Sequence, residues 1–79
     1  MSLETQIYAI IADQFAIDPS GLGPNTTADD VDGWDSLNHS RLLMRLEREL
    51  QRDIPDHLLF ELSNVGDLIR VFEESAAHG

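Results

Sequence analysis

Residues 35–52 read Asp35-Ser36-Leu37-Asn38-His39-Ser40-Arg41-Leu42-Leu43-Met44-Arg45-Leu46-Glu47-Arg48-Glu49-Leu50-Gln51-Arg52, and the period of this stretch decides the fold. With Arg41 set at zero and about 100° per residue, Leu42, Leu46, Leu50 and Leu43 fall near about 100°, 140°, 180° and 200°. That is one apolar arc, so the stretch is an amphipathic helix starting at Asp35 or Ser36 and ending near Arg52. Arg41, Arg45, Arg48 and Arg52 gather within about 60° of one another on the opposite side. Leu37 and Met44 fall near about 320° and 300°, outside the core arc and against the arginines. The plain reading is a solvated face with two surface apolar residues. Against it, Arg41/Arg45 and Arg48/Arg52 are like-charge pairs at i,i+4, each costing a few tenths of a kcal/mol. Arg45/Glu49 and Glu49/Arg52 offset only part of that cost. A partner or a neighbouring acidic segment is therefore expected to use this face.

Upstream, Leu3, Ile7, Ile10, Ile11 and Phe15 recur at helical spacing, with Ser2 placed to cap and Glu4 in the first turn. A first helix over 3–16 follows, ending ahead of Asp18-Pro19 because proline disfavours helical angles in the residue before it. From there to Gly33 the chain is rich in Gly, Pro, Asn, Thr and Asp without apolar period, which predicts one long loop. Downstream, Ile54-Pro55-Asp56 interrupts the pattern, and proline at a first helical position suits a short segment from Pro55 to Leu62. Asn64, with Asp67 three residues on, announces a final helix carrying Val65, Leu68, Ile69 and Phe72. Glu73 to Gly79 reads as a fraying tail. No segment has strand period. The prediction is an all-α fold: a small four-helix bundle of three principal helices plus one short helix, with the long loop between helices 1 and 2.

The 79 residues make one domain, 1–79, with one modest core and no room for a deep enzyme cleft. There is no cysteine, hence no disulfide, no thiolate zinc site and no cysteine nucleophile. Fifteen acids against five arginines give a net charge of -10, which repels nucleic acid and anionic lipid. The charge is uneven: residues 1–35 hold seven acids and no base, whereas residues 36–52 hold four arginines and two acids. No leader precedes the first helix and no span is long and apolar enough for a membrane, so a cytoplasmic monomer is expected. In that compartment Asn25-Thr26-Thr27 is a chance glycosylation sequon.

Ser36 follows Asp35 at the head of the second helix, and N-capping by either residue explains the pair by itself. A hydroxyl there also lies where free N–H groups and the helix dipole favour a phosphate ester. Gly33-Trp34-Asp35-Ser36-Leu37 resembles the modification motif of acyl carrier proteins, in which Asp-Ser-Leu opens the second helix. The likeness continues through Leu42-Leu43-Met44-Arg45-Leu46-Glu47, Ile54-Pro55-Asp56 and Val65-Gly66-Asp67, and so spans nearly the whole chain in order.

The resemblance implies a single acyl carrier domain that is not an enzyme. Ser36, flanked by Asp35 and Leu37, would be esterified by 4'-phosphopantetheine, donated from coenzyme A by a phosphopantetheinyl transferase. The arm's thiol would hold acyl groups as thioesters, which answers the missing cysteine. Further partners would be an acyl-loading ligase or acyltransferase and a ketosynthase or other acyl-using enzyme. Family members dock through the second helix, which marks Leu37, Met44 and Ile54 as apolar contacts. Carriers of the fatty-acid type generally show acids on this helix, whereas here Arg41, Arg45 and Arg48 stand on it. That departure points to a dedicated pathway, polyketide or otherwise specialised, beside the fatty-acyl one. An aminoacyl or peptidyl carrier and an unmodified helical adaptor are the rival readings.

Three other patterns are weaker. Asp30, Asp32 and Gly33 suggest part of a calcium loop, but its first and twelfth positions would be Ala28 and His39, which removes the principal ligands. No metal site is expected, and His57 and His78 lack ligand partners at useful spacing. Ser36 and His39 lie three apart without the nucleophile elbow or oxyanion glycine of a hydrolase. Trp34 either shields the arm or packs the loop, and packing is the favoured role. The residues that could line an acyl tunnel are those a bare core needs, and their pattern does not separate the two.

Overall fold

The structure, a computed structural model, describes residues 2–55 and 62–75. Helix α1 spans Leu3–Phe15, α2 spans Ser36–Leu50 and α3 spans Val65–Glu74. Each begins on a side-chain cap in extended conformation: Ser2 Oγ accepts from Thr5 N–H, Asp35 Oδ1 from Asn38 N–H, and Asn64 Oδ1 from Asp67 N–H. Asp67 answers Asn64 in the manner of a capping box, except that its carboxylate takes the N–H of Ser63 rather than that of Asn64.

The long connection between α1 and α2 is present, and the reading is refined in two places. Within that connection short 3-10 turns occupy Pro19–Gly21 and Ala28–Asp30. Asp18 opens the first by accepting from Ser20 N–H, and that backbone bond holds its carboxyl below the usual carboxylate range. Asp30 closes the second by accepting from both the N–H and the hydroxyl of Thr27. Such turns are built from local polar bonds, so an apolar period does not reveal them. The predicted tail also starts too early: α3 continues through Glu74, with Ser75 Oγ donating to Phe72 O at 2.6 Å. The predicted short helix from Pro55 to Leu62 falls for the most part on residues 56–61, outside the described residues, as do His57 and His78.

α1 and α2 both end on a residue in left-handed conformation, Ala16 at φ 55° and Gln51 at φ 54°. At α1 the N–H of Ile17 returns to Ala12 O at 2.9 Å, the wider of the two bonds of a Schellman turn. A Cβ in this region clashes with the following carbonyl, and glycine does not. Ala16→Gly is therefore expected to raise the unfolding free energy by about 0.5–1 kcal/mol, after subtraction of glycine's larger unfolded entropy. Urea unfolding measures it, and a destabilised variant would contradict the strain.

The core joins α1, α2 and α3, with Ile7, Ile11, Leu42, Leu46, Val65, Leu68 and Phe72 essentially inaccessible. The long connection is fastened to the head of α3 by two backbone bonds, Val65 N–H to Thr26 O and Gly66 N–H to Pro24 O, each 2.8 Å. Glycine is required at the second contact, because a Cβ there would stand 2.9 Å from Pro24 O and 3.1 Å from Pro24 Cβ. Gly66→Ala should push this strap off α3 and lower stability by about 1–2 kcal/mol, the scale of two net hydrogen bonds less a small gain in helix propensity. Hydrogen exchange checks the cause: the amides of Val65 and Gly66 should lose protection first.

Two of the four arginines assigned to one free basic stripe are engaged inside the fold. Arg45 pairs with Asp13 at 2.7 Å, with Gln14 Oε1 at 3.1 Å and with Glu49. These bonds, that to Glu49 foremost, raise its guanidinium above its already high ordinary range. Asp13 lies in the last turn of α1, where the helix dipole disfavours a carboxylate, so Arg45 relieves that position while joining α1 to α2. Arg52 donates through Nη1 to Phe72 O and Ser75 O, both at 2.9 Å, and so satisfies carbonyls at the end of α3.

Candidate functional site

Gly33, at φ 86°, turns the chain into α2, and Asp35 N–H donates to its carbonyl at 3.0 Å. Asn38 Nδ2 donates to the same carbonyl at 2.7 Å and pins the turn against the first helical coil. Since Asp35 is the cap, Ser36 is the first helical residue and its side chain is released from capping. Ser36 is exposed and its hydroxyl makes no hydrogen bond among the described residues. An accessible primary hydroxyl thus stands beside unpaired N–H groups at a positive helix end, which suits an ester-linked phosphate.

Trp34 has two anchors. Its ring stacks on Phe15 of α1, centroids 4.9 Å apart and planes 17° from parallel, and its Nε1–H donates to His39 Nδ1 at 2.9 Å. The second bond requires His39 Nδ1 to carry no proton, and the i,i+5 spacing of the pair is the signal that sequence inspection passed over. Trp34 is packed, as favoured from the sequence, and it also walls the site. A cleft of about 400 Å³ opens at Asp35 and Ser36 and is lined by Ala28, Trp34, His39 and Leu62. A smaller void of about 50 Å³ behind it reaches Val65 and Leu68 of α3.

Of the residues singled out for partner contact, Leu37, Arg41, Met44 and Arg48 are exposed along α2, whereas Arg45 is half-buried in its pairs with Asp13 and Glu49. Ile54, also singled out, is buried in this structure. It is 5% exposed within the core cluster, drawn back against α2 by a bond from its N–H to Glu47 Oε2 at 3.3 Å. An apolar residue after a helix-ending turn is read equally well as contact or core, and only the path of the chain decides. Among the described residues no three His, Cys, Asp or Glu side chains come together as a metal site, and no helix is long and apolar enough to cross a membrane.

Residues 5–72 match the family model described as "Phosphopantetheine attachment site". The chain is 33% identical over 75 residues to an acyl carrier protein of Helicobacter pylori strain J99, covering 95% of this chain and 96% of that protein. It is 32% identical over 74 residues to the acyl carrier protein of Chlamydia muridarum, covering 94% and 96%. Among solved structures, the solution structure of a holo acyl carrier protein from Geobacter metallireducens superposes with a TM-score of 0.81 at 32% identity, covering 94% of this chain and 85% of that one.

Proposed function

This chain belongs to the acyl carrier protein family, and we propose that Ser36 is the residue that bears its arm. The family makes it a non-catalytic carrier with covalently attached 4'-phosphopantetheine, served by a phosphopantetheinyl transferase and by acyl-using enzymes. When bound, the group supplies the terminal thiol on which acyl chains ride as thioesters. The observation that carries the assignment to Ser36 is its exposed, unbonded hydroxyl at the head of α2.

The chain's own residues then divide the work. Asp35 and Asn38 hold the helix head, whose free N–H groups would favour the phosphate of a bound arm, and Asp35 leaves the Ser36 hydroxyl uncommitted. Trp34, fixed by Phe15 and His39, keeps the wall of the adjoining cleft in place. His39 has its Nδ1 occupied by Trp34, which supports positioning rather than hydrolysis as its role.

We read the cargo as acyl rather than aminoacyl or peptidyl, because near-complete matches bear the acyl carrier name. We place the protein in a dedicated cytoplasmic pathway, polyketide or otherwise specialised, loaded by an acyl ligase or acyltransferase and unloaded by a ketosynthase or comparable enzyme. The basic residues on α2 support that placement. Incubation with coenzyme A, magnesium and a broad-specificity transferase should add the mass of one arm per chain by intact-mass spectrometry. An unchanged mass would return the chain to the class of unmodified helical adaptors. Mass analysis of the protein from its native host then reads the cargo directly.

A further inference from the structure

Leu37, Arg41, Met44 and Arg48 follow one another along α2 at spacings of four, three and four, within about 60° of arc. Leu37 and Met44 are 61% and 62% exposed, the two large hydrophobic side chains that stand out in solvent among the described residues. Arg41 and Arg48 are exposed, and neither has a hydrogen bond or ion pair with a described residue. The other three arginines are engaged: Arg45 with Asp13 and Glu49, Arg52 with the end of α3, and Arg70 with Asp67 at 3.7 Å. The stripe starts beside Ser36 and runs about 16 Å along the helix, at roughly 1.5 Å per residue. Folding explains none of its four members.

We propose that this stripe docks enzymes whose carrier-binding surface is acidic, with two apolar hollows receiving Leu37 and Met44 between carboxylates that receive Arg41 and Arg48. The inference rests on the reading of Ser36 as the attachment point and names the partner for that site. Charge complementarity selects the acidic partner. The chain carries a net charge of -10, and its unpaired cations among the described residues are confined to this stripe. An acidic surface is repelled by the rest of the molecule and admitted here, so docking brings Ser36 to the rim of the contact. A basic surface would be drawn to the acidic remainder, including Asp29, Asp30 and Asp32 in the long connection, and would approach in many orientations. Arginine is suited to the task because its planar fork meets a carboxylate with two parallel bonds. The stripe is narrow, as befits a carrier that must leave one enzyme for the next.

The test uses the fully armed chain, verified by mass, and the acyl-loading enzyme purified from the producing organism by its activity on that chain. Arg41→Glu/Arg48→Glu should lower kcat/KM for loading about tenfold or more, chiefly through KM, and Leu37→Ala/Met44→Ala should do the same. The wild-type rate should fall as salt rises from about 0.05 to 0.5 M, and that dependence should flatten in the arginine variant. Unchanged or faster loading of the arginine variant overturns the proposal. Loss on the apolar substitutions alone also overturns it, because the hollow would then lack its acidic rim. Binding to anionic vesicles that disappears in the arginine variant would assign the stripe to a membrane and overturn it as well. If the wild-type chain accepts no arm at all, the carrier reading of Ser36 fails first, which separates the two failures.

Discussion

Ser36→Ala is expected to abolish the gain of one arm on exposure to coenzyme A and transferase, with no residual modification at any other hydroxyl. The loss should be complete because, on the proposed assignment, the reaction forms a bond to that oxygen, so no neighbouring group substitutes for it in part. It should also be nearly silent in stability. Asp35 caps α2 and the Ser36 hydroxyl is unbonded among the described residues, so removing an exposed side-chain oxygen should shift unfolding by less than about 0.5 kcal/mol. Ser40→Ala, one turn further along α2, should keep full modification. Intact mass and urea unfolding on the same samples separate loss of the acceptor from loss of the fold. Modification surviving in Ser36→Ala would move the attachment point elsewhere.

Phe72→Ala has the largest expected effect on the fold. Phe72 is fully buried in the core cluster, and its carbonyl receives both Arg52 Nη1 and Ser75 Oγ. Truncating a buried phenylalanine to alanine costs about 3–5 kcal/mol through lost transfer energy and the cavity left behind. A 79-residue domain holds about 4–12 kcal/mol in all, at roughly 0.05–0.15 kcal/mol per residue. The variant should therefore be partly or wholly unfolded at ambient temperature, as seen by circular dichroism and by the fluorescence of Trp34, the single tryptophan. Leu37→Ala and Met44→Ala, on exposed positions, should each stay within about 0.5 kcal/mol of the parent. A mild Phe72→Ala, or a damaging Leu37→Ala, would mean that core and surface had been exchanged.

The starts of the helices could be read residue by residue because capping acts over three or four positions. Ser2, Asp35 and Asn64 each bond an amide three residues on, and that chemistry is visible in any short window. The apolar arc of α2 was equally legible, with Leu42, Leu43 and Leu46 buried as their period requires. The same local periodicity set Leu37 and Met44 apart from the core before any neighbour was known. The 3-10 turns were missed because a three-residue element carries no period, although Asp18 and Thr27 with Asp30 carried the polar chemistry for them.

Charge and burial at a distance were another matter. On the wheel, Arg41, Arg45, Arg48 and Arg52 are equivalent; in the folded chain Arg45 meets Asp13 from 32 residues away, and Arg52 reaches the end of α3. Ile54 was drawn inward by the course of the chain after α2, and Trp34 was anchored by Phe15 across the long connection. The order of residues was thus enough for the helices, their faces and the placing of Ser36, the proposed attachment residue, at the head of α2, since those follow from interactions between near neighbours. Which arginines, and which apolar side chains, stayed free to meet another molecule was settled by packing, because it depends on what a distant part of the chain had already claimed.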